Sequence, residues 1–231
     1  MIKEKFEYNF DIDPFNEEDW DELEPDGTFL TWLKINYPNE GIWKDIKIIN
    51  CNNKNLTDLI GIEKLINLKY LYCHRNELKE LNISNNIKLN GLYCHNNQLT
   101  ELNVTKNIKL EELNCYHNQL TELDVTKNIK LIYLHCRNNQ LIELGVTNNI
   151  RLMNFYCNNN QLTELDVTNN INLIGLNCSN NQLTELDVTK NNLIVVRKSK
   201  FSFRRFLKKV NKFNSKLFNY FIMIRNGADF S

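Results

Sequence analysis

The sequence predicts a predominantly β solenoid of the α/β class. This would be a right-handed superhelix of short coils with a parallel concave sheet, little convex helix and helical caps. Three observations predict it. Between Leu68 and Asn191 a 21-residue unit recurs almost six times, built on L-x-x-L-x-C-x-x-N-x-L. It stays in register from Leu68, Leu89, Leu110, Leu131, Leu152 and Leu173, with an imperfect copy starting at Ile46. All seven cysteines (Cys51, Cys73, Cys94, Cys115, Cys136, Cys157, Cys178) occupy the same place in the unit. A fixed period of this length marks coils that cannot bury their own apolar face and must stack.

Within a unit, positions 1, 4 and 6 fit a short strand whose alternate residues point inward. Position 9 is Asn in six units, where the chain must turn and leave backbone groups without ladder partners. A short amide can satisfy them, for its own coil and for a neighbour. The first copy has Lys54 at that position, so its turn is expected to be less well tied. The second half reads L-T-E-L-D-V-T-x-N-I, as in Leu120 to Ile129. Leu123, Val125 and Ile129 are the expected inward residues, and the Thr, Asp and Asn between them suit turns. There is no room for a long helix, so the convex side should be extended or 3₁₀-like. About seven apolar residues per unit would point inward, each contributing roughly 1.5–3 kcal/mol when buried.

This spacing resembles the leucine-rich repeat family, over about residues 46–196. The phrase N-Q-L-T-E-L-D-V-T resembles bacterial repeats of the internalin-like sort, and the longer first unit, Ile46 to Asn67, is closer to a 22-residue form. The resemblance implies a non-catalytic protein-binding scaffold with a protein partner that it does not identify.

Charge divides the chain into three parts: an acidic N-terminal arm and cap (1–45), the solenoid (46–196) and a basic C-terminal segment (197–231). Residues 1–45 carry 13 acidic and 4 basic side chains, and residues 193–231 carry 1 acidic and 10 basic, so the overall balance of zero hides two opposite ends. No stretch approaches the roughly 18 consecutive apolar residues of a spanning helix. The opening residues lack the apolar core of a secretory signal, so a cytoplasmic protein is expected, or one in a host cytoplasm if exported by another route. The odd number of cysteines, spaced by the repeat, argues against a disulfide framework. A zinc site or redox ladder is a possible reading of them. The favoured one is a small hydrophobe filling a leucine slot.

Residues 28–45 read as a cap on the first coil. Thr28 is a candidate N-cap, Pro38 follows the helix end, and Phe29, Trp32 and Leu33 share one side. Residues 1–26, acidic and aromatic, read equally as cap or as partner-binding arm. Beyond Phe201, apolar residues recur at three- and four-residue steps, interleaved with Arg204, Arg205, Lys208, Lys209, Lys212 and Lys216. This predicts a basic amphipathic helix. Capping the last coil is its favoured role, ahead of an anionic membrane surface or a partner groove; nucleic acid is not favoured. A monomer is the expected state, though the opposite ends could attract head to tail.

Strand positions 3, 5 and 7 point away from the core onto the concave sheet. The candidate partner-binding residues there are Tyr70, Tyr72, His74, Tyr93, His95, Tyr116, Tyr133, His135, Arg137 and Tyr156, with Gly91 and Gly175 leaving hollows. Tyr and Arg are enriched in binding hot spots; cross-strand stacking that stabilises the ladder is the competing reading. His74 and His95 share a column, but further metal ligands are lacking. A pH-sensitive contact is the better expectation there. The glutamates Glu80, Glu101, Glu122, Glu143, Glu164 and Glu185 should form a solvated opposite face. No phosphate loop, H-E-x-x-H or G-x-S-x-G occurs, so neither cofactor nor enzymatic activity is expected. The function read from the sequence is thus a protein-interaction scaffold, with a peripheral membrane adaptor docking through the basic helix as the alternative.

Overall fold

The computed structural model describes residues 28–193 and 195–197; the predicted N-terminal arm, Lys198 onward and the basic residues Arg204, Arg205, Lys208, Lys209 and Lys212 lie outside the described residues. Among the described residues, one helix, α1 (Phe29–Asn36), and a 3₁₀ turn over Glu40–Asp45 precede the coils. Eight three-residue strands follow: β1 (Ile48–Asn50), β2 (Tyr70–Tyr72), β3 (Gly91–Tyr93), β4 (Glu112–Asn114), β5 (Tyr133–His135), β6 (Asn154–Tyr156), β7 (Gly175–Asn177) and β8 (Val195–Arg197). They form one sheet in sequence order, every pair parallel. The register keeps the repeat aligned, Leu71 against Leu92, Leu92 against Leu113 and Leu113 against Leu134. The return path carries i→i+3 turns such as Asn107 N to Val104 O (3.0 Å) and Leu110 N to Asn107 O (3.0 Å), the 3₁₀-like convex side that the short unit requires.

Each of the five coils from Leu68 to Val167 buries leucines at positions 1, 11 and 14, a leucine or Phe155 at position 4, its cysteine at position 6 and an aliphatic residue at position 16. In the third coil these are Leu89, Leu92, Leu99, Leu102, Cys94 and Val104. That is six apolar residues, one fewer than the sequence suggested, because Ile129 and its equivalents do not point inward. Ile66, Ile87, Ile108, Ile129, Ile150 and Ile171 are 50–55 % exposed. The inward slot belongs instead to the preceding asparagine: Asn86, Asn107, Asn128, Asn149 and Asn170 are wholly buried. Their amides give a second donor to carbonyls that already accept the i→i+3 backbone bonds of the tight corner. Asn128 Nδ2 bonds Val104 O (2.9 Å) and Asn107 O (3.0 Å), joining two coils. An isoleucine in that slot would remove both inter-coil hydrogen bonds and leave each oxygen with its backbone donor alone.

A second amide ladder runs at position 9. Asn118 Nδ2 donates to Cys94 O and Cys115 O (3.0 and 3.1 Å) while its Oδ1 accepts from Leu99 N (3.0 Å). Because each amide serves the preceding coil, Lys54 does not loosen the first turn as expected: the backbone N–H groups of Lys54 and Leu56 both reach Asn76 Oδ1 at 3.0 Å. Just before each position-9 residue, Lys54 included, stands a residue in the left-handed region (Asn53, Arg75, Asn96, His117, Asn138, Asn159, Asn180, φ 50–57°), which explains the preference for Asn at position 8.

The helix α1 buries Phe29, Trp32 and Leu33 in the same continuous core as the coils, with Trp43 beneath it. Thr28 occupies the N-cap, but its hydroxyl bonds Thr31 Oγ1 (3.1 Å) and makes no cap; Asp58 of the first coil accepts from Phe29 N (3.4 Å) instead. Trp43 Nε1 donates to Tyr37 O (2.7 Å), fixing the turn that leads into β1.

Candidate functional site

The parallel register sets equivalent side chains of neighbouring strands about 4.8 Å apart. Flat rings at that spacing meet by offset stacking. At position 5, Tyr72 stacks on Tyr93 (centroids 4.5 Å, 12° apart). At position 7, His74 stacks on His95 (4.2 Å) and His95 on Tyr116 (4.4 Å), and the Arg137 guanidinium lies 4.7 Å over the Tyr116 ring. A diagonal contact from Tyr116 to His135 (4.6 Å) joins the columns, and within position 5 His135 meets Tyr156 (5.2 Å). Tyr133 Oη and His135 Nδ1 are hydrogen-bonded at 3.0 Å. The predicted residues therefore form one contiguous strip from β2 to β6.

Its exposure differs from the expectation. The rings cover one another, so Tyr72, His74, His95 and His135 are less than a tenth exposed, while Tyr70, Tyr93, Tyr116, Tyr133, Arg137 and Tyr156 are half-buried. Nor does Gly91 leave a hollow: the Tyr70 ring lies across it, with Cδ1 only 2.7 Å from where a Cβ would stand. Asn154 and Tyr156 cover Gly175 in the same way, Asn154 Oδ1 at 2.7 Å.

Burial governs the ionisation of the strip. It pushes the His95 imidazole down to about 2, aided by the nearby His74, His135, Arg75 and Arg137, and the His135 imidazole to about 3, aided by Arg137 and His117. Both of these rings are neutral across the physiological range, so neither His95 nor His135 supplies a charge change near neutrality. Burial also raises the Tyr93 and Tyr133 hydroxyls, and Tyr93 Oη donates to the Glu112 carboxylate one strand away. That pairing was not evident from the repeat, because Glu112 stands diagonally across at position 3. The cysteines lie on the other side of the sheet, all free and wholly buried; burial lifts Cys115 to about 12 and the others in the same direction where a shift is resolved.

Among the described residues no three His, Cys, Asp or Glu side chains are grouped to hold a metal ion. No described helix is long and apolar enough to cross a membrane. The exposed glutamates line a shallow groove on the return side, floored by Leu102, Leu123, Leu144 and Leu165. Beside them, Asp124 and Asp166 accept from the amides and hydroxyls of Thr126 and Thr168, which hold their carboxyls below the usual range.

No protein-family model matches the chain, and no curated protein matches it. Solved structures do. The functional domain of InlJ from Listeria monocytogenes, described as including a cysteine ladder, is 32% identical, over 71% of this chain and 46% of its own, with a TM-score of 0.45. An internalin (inlF) from the same species is 23% identical, over 72% of this chain and 51% of its own, with a TM-score of 0.61. The leucine-rich-repeat protein LIC12759 of Leptospira interrogans is 23% identical, over 76% of this chain and 62% of its own, with a TM-score of 0.52. The chain spans about half the length of the first two. With its parallel eight-stranded sheet and 21-residue coils, the fold is the leucine-rich-repeat solenoid found in these bacterial proteins.

Proposed function

We propose that this chain is a non-catalytic scaffold that binds a protein partner, folded or extended, through the concave strip of β2 to β6. The observation that carries the reading is the half-buried row Tyr93, Tyr116, Tyr133, Arg137 and Tyr156, packed into fixed positions by its neighbours. Side chains already immobilised lose little entropy on binding, and Tyr and Arg contribute most per residue at interfaces. Tyr72, His74, His95 and His135 form the platform beneath, positioning this row and offering little surface of their own. The seven buried thiols, none in a disulfide, suit a reducing compartment such as the cytoplasm.

The test is affinity capture from native lysate, comparing the wild-type chain with a Tyr116→Ala/Arg137→Ala/Tyr156→Ala variant. Loss of a specific captured protein, with the circular dichroism spectrum kept, is expected. Equal capture by both would move the site away from the strip.

A further inference from the structure

The six isoleucines that the fold turns outward form a contiguous column along one corner of the coils, from Ile66 to Ile171. Single exposed aliphatic residues need no explanation, but six in register make an apolar ridge about 24 Å long at strand spacing. Basic residues flank it on both sides. Lys88, Lys109, Lys130 and Arg151 directly follow the isoleucines in sequence, and Lys106 and Lys127 stand two residues before Ile108 and Ile129. All six are exposed, and none forms an ion pair with another described residue. The corner is therefore apolar along its crest and positive along its flanks.

We infer that this isoleucine–lysine edge is the docking face for the chain's own N-terminal segment, residues 1–27. The complementarity is twofold. That segment has eleven acidic and two basic side chains, and places Phe10, Phe15, Trp20 and Leu23 among them. Aromatic groups can cover the crest while carboxylates meet the flanking ammonium groups. The point of entry agrees. The segment joins α1 at Thr28, and α1 is held to the return half of the first coil through Phe29 N to Asp58 and through Leu30 against Gly61. The ridge begins a few residues later in that same coil, at Ile66. Twenty-seven residues reach up to about 90 Å when extended, ample for a 24 Å ridge. Charge disfavours the other occupants. The basic C-terminal segment and a second copy of this edge would each bring positive groups against positive flanks.

The test is zero-length carbodiimide cross-linking of the full chain, mixed from ¹⁴N- and ¹⁵N-labelled copies, with the joined peptides read by mass spectrometry. Amide bonds from carboxylates of residues 11–26 to Lys106, Lys109, Lys127 or Lys130, within one isotopic copy, are the expected result. An Ile108→Ser/Ile129→Ser/Ile150→Ser variant changes exposed positions and keeps the fold; its yield of these products should fall at least about fivefold. Three results would each overturn the inference: products joining unlike copies, products confined to Lys208, Lys209 and Lys212, or an undiminished yield in the serine variant.

Discussion

The imidazoles of His74 and His95 lie face to face, their centroids 4.2 Å apart and their planes 10° from parallel. Two protonated rings could not hold that arrangement without strong repulsion, and burial of His95 keeps its proton off. This has a consequence for stability. His95 and His135 titrate near 2 and 3 in the folded chain, whereas an unfolded histidine titrates at about 6.5. Above pH 6.5 both states are neutral. As the pH falls below that, the unfolded chain takes up protons that the folded one refuses, so stability drops. The slope approaches about 1.4 kcal/mol per pH unit for each histidine. Denaturant unfolding at pH 7.5 and pH 5 should show a loss of about 4 kcal/mol, largely absent in a His95→Gln/His135→Gln variant. Equal stability of the wild type at both values would contradict the burial of these rings.

The buried amides at the corners predict a cost that their small size hides. Asn128→Leu forces apolar volume into a packed corner and removes the two bonds that tie it to the preceding coil through Val104 O and Asn107 O. A destabilisation of about 2–4 kcal/mol is expected, against less than about 1 kcal/mol for the neighbouring exposed Ile129→Ser. Chemical denaturation of the two variants makes the comparison.

The thiols predict a labelling pattern. All seven are wholly buried, and burial raises their pKa wherever a shift is resolved, so neither access nor thiolate is available in the folded state. A disulfide reagent should release almost no chromophore from the native chain and seven equivalents in guanidinium. Rapid reaction of even one thiol without denaturant would place it outside the core.

Glycines give a matched pair. At Gly91 a methyl group would stand 2.7 Å from Tyr70 Cδ1 and 3.1 Å from Tyr93 Cε2, whereas at Gly145 the nearest atom, a Thr126 methyl, is 3.9 Å away. Gly91→Ala should cost about 1–2 kcal/mol and weaken partner capture by shifting Tyr70, while Gly145→Ala stays within about 0.5 kcal/mol of wild type. Thermal melts separate the two.

The coils were legible because the same spacing recurs in register, and repetition fixes which face of each strand is inward. Ile129 was misassigned for a physical reason. Hydropathy ranks isoleucine above asparagine for burial, but at this corner an amide can bond two carbonyl oxygens of the preceding coil and tie the coils together, which an aliphatic chain cannot do. The signal was present, since Asn86, Asn107, Asn128, Asn149 and Asn170 recur as faithfully as the position-9 residues. The concave side of the tyrosines followed from alternation alone. Their mutual burial did not, because alternation says which way a ring points and nothing of how rings in adjacent strands share the space. For the same reason Gly91 read as a hollow when the Tyr70 ring fills it. The Tyr93–Glu112 bond joins different columns, so no single-column reading would find it.

The position-9 amide has one more consequence. Asn118 clasps the coil before it and its own, and Asn139 does the same one step on, bonding Cys115 O and Cys136 O at 3.1 Å. Every seam is thus alike. Excising Leu110 to Lys130 brings Lys109 next to Leu131, and the clasp left there meets the same atoms it always met. Ancestral duplication or loss of whole 21-residue blocks can lengthen or shorten the molecule by about 5 Å at a time, whereas removing a single residue derails every coil on one side of the cut.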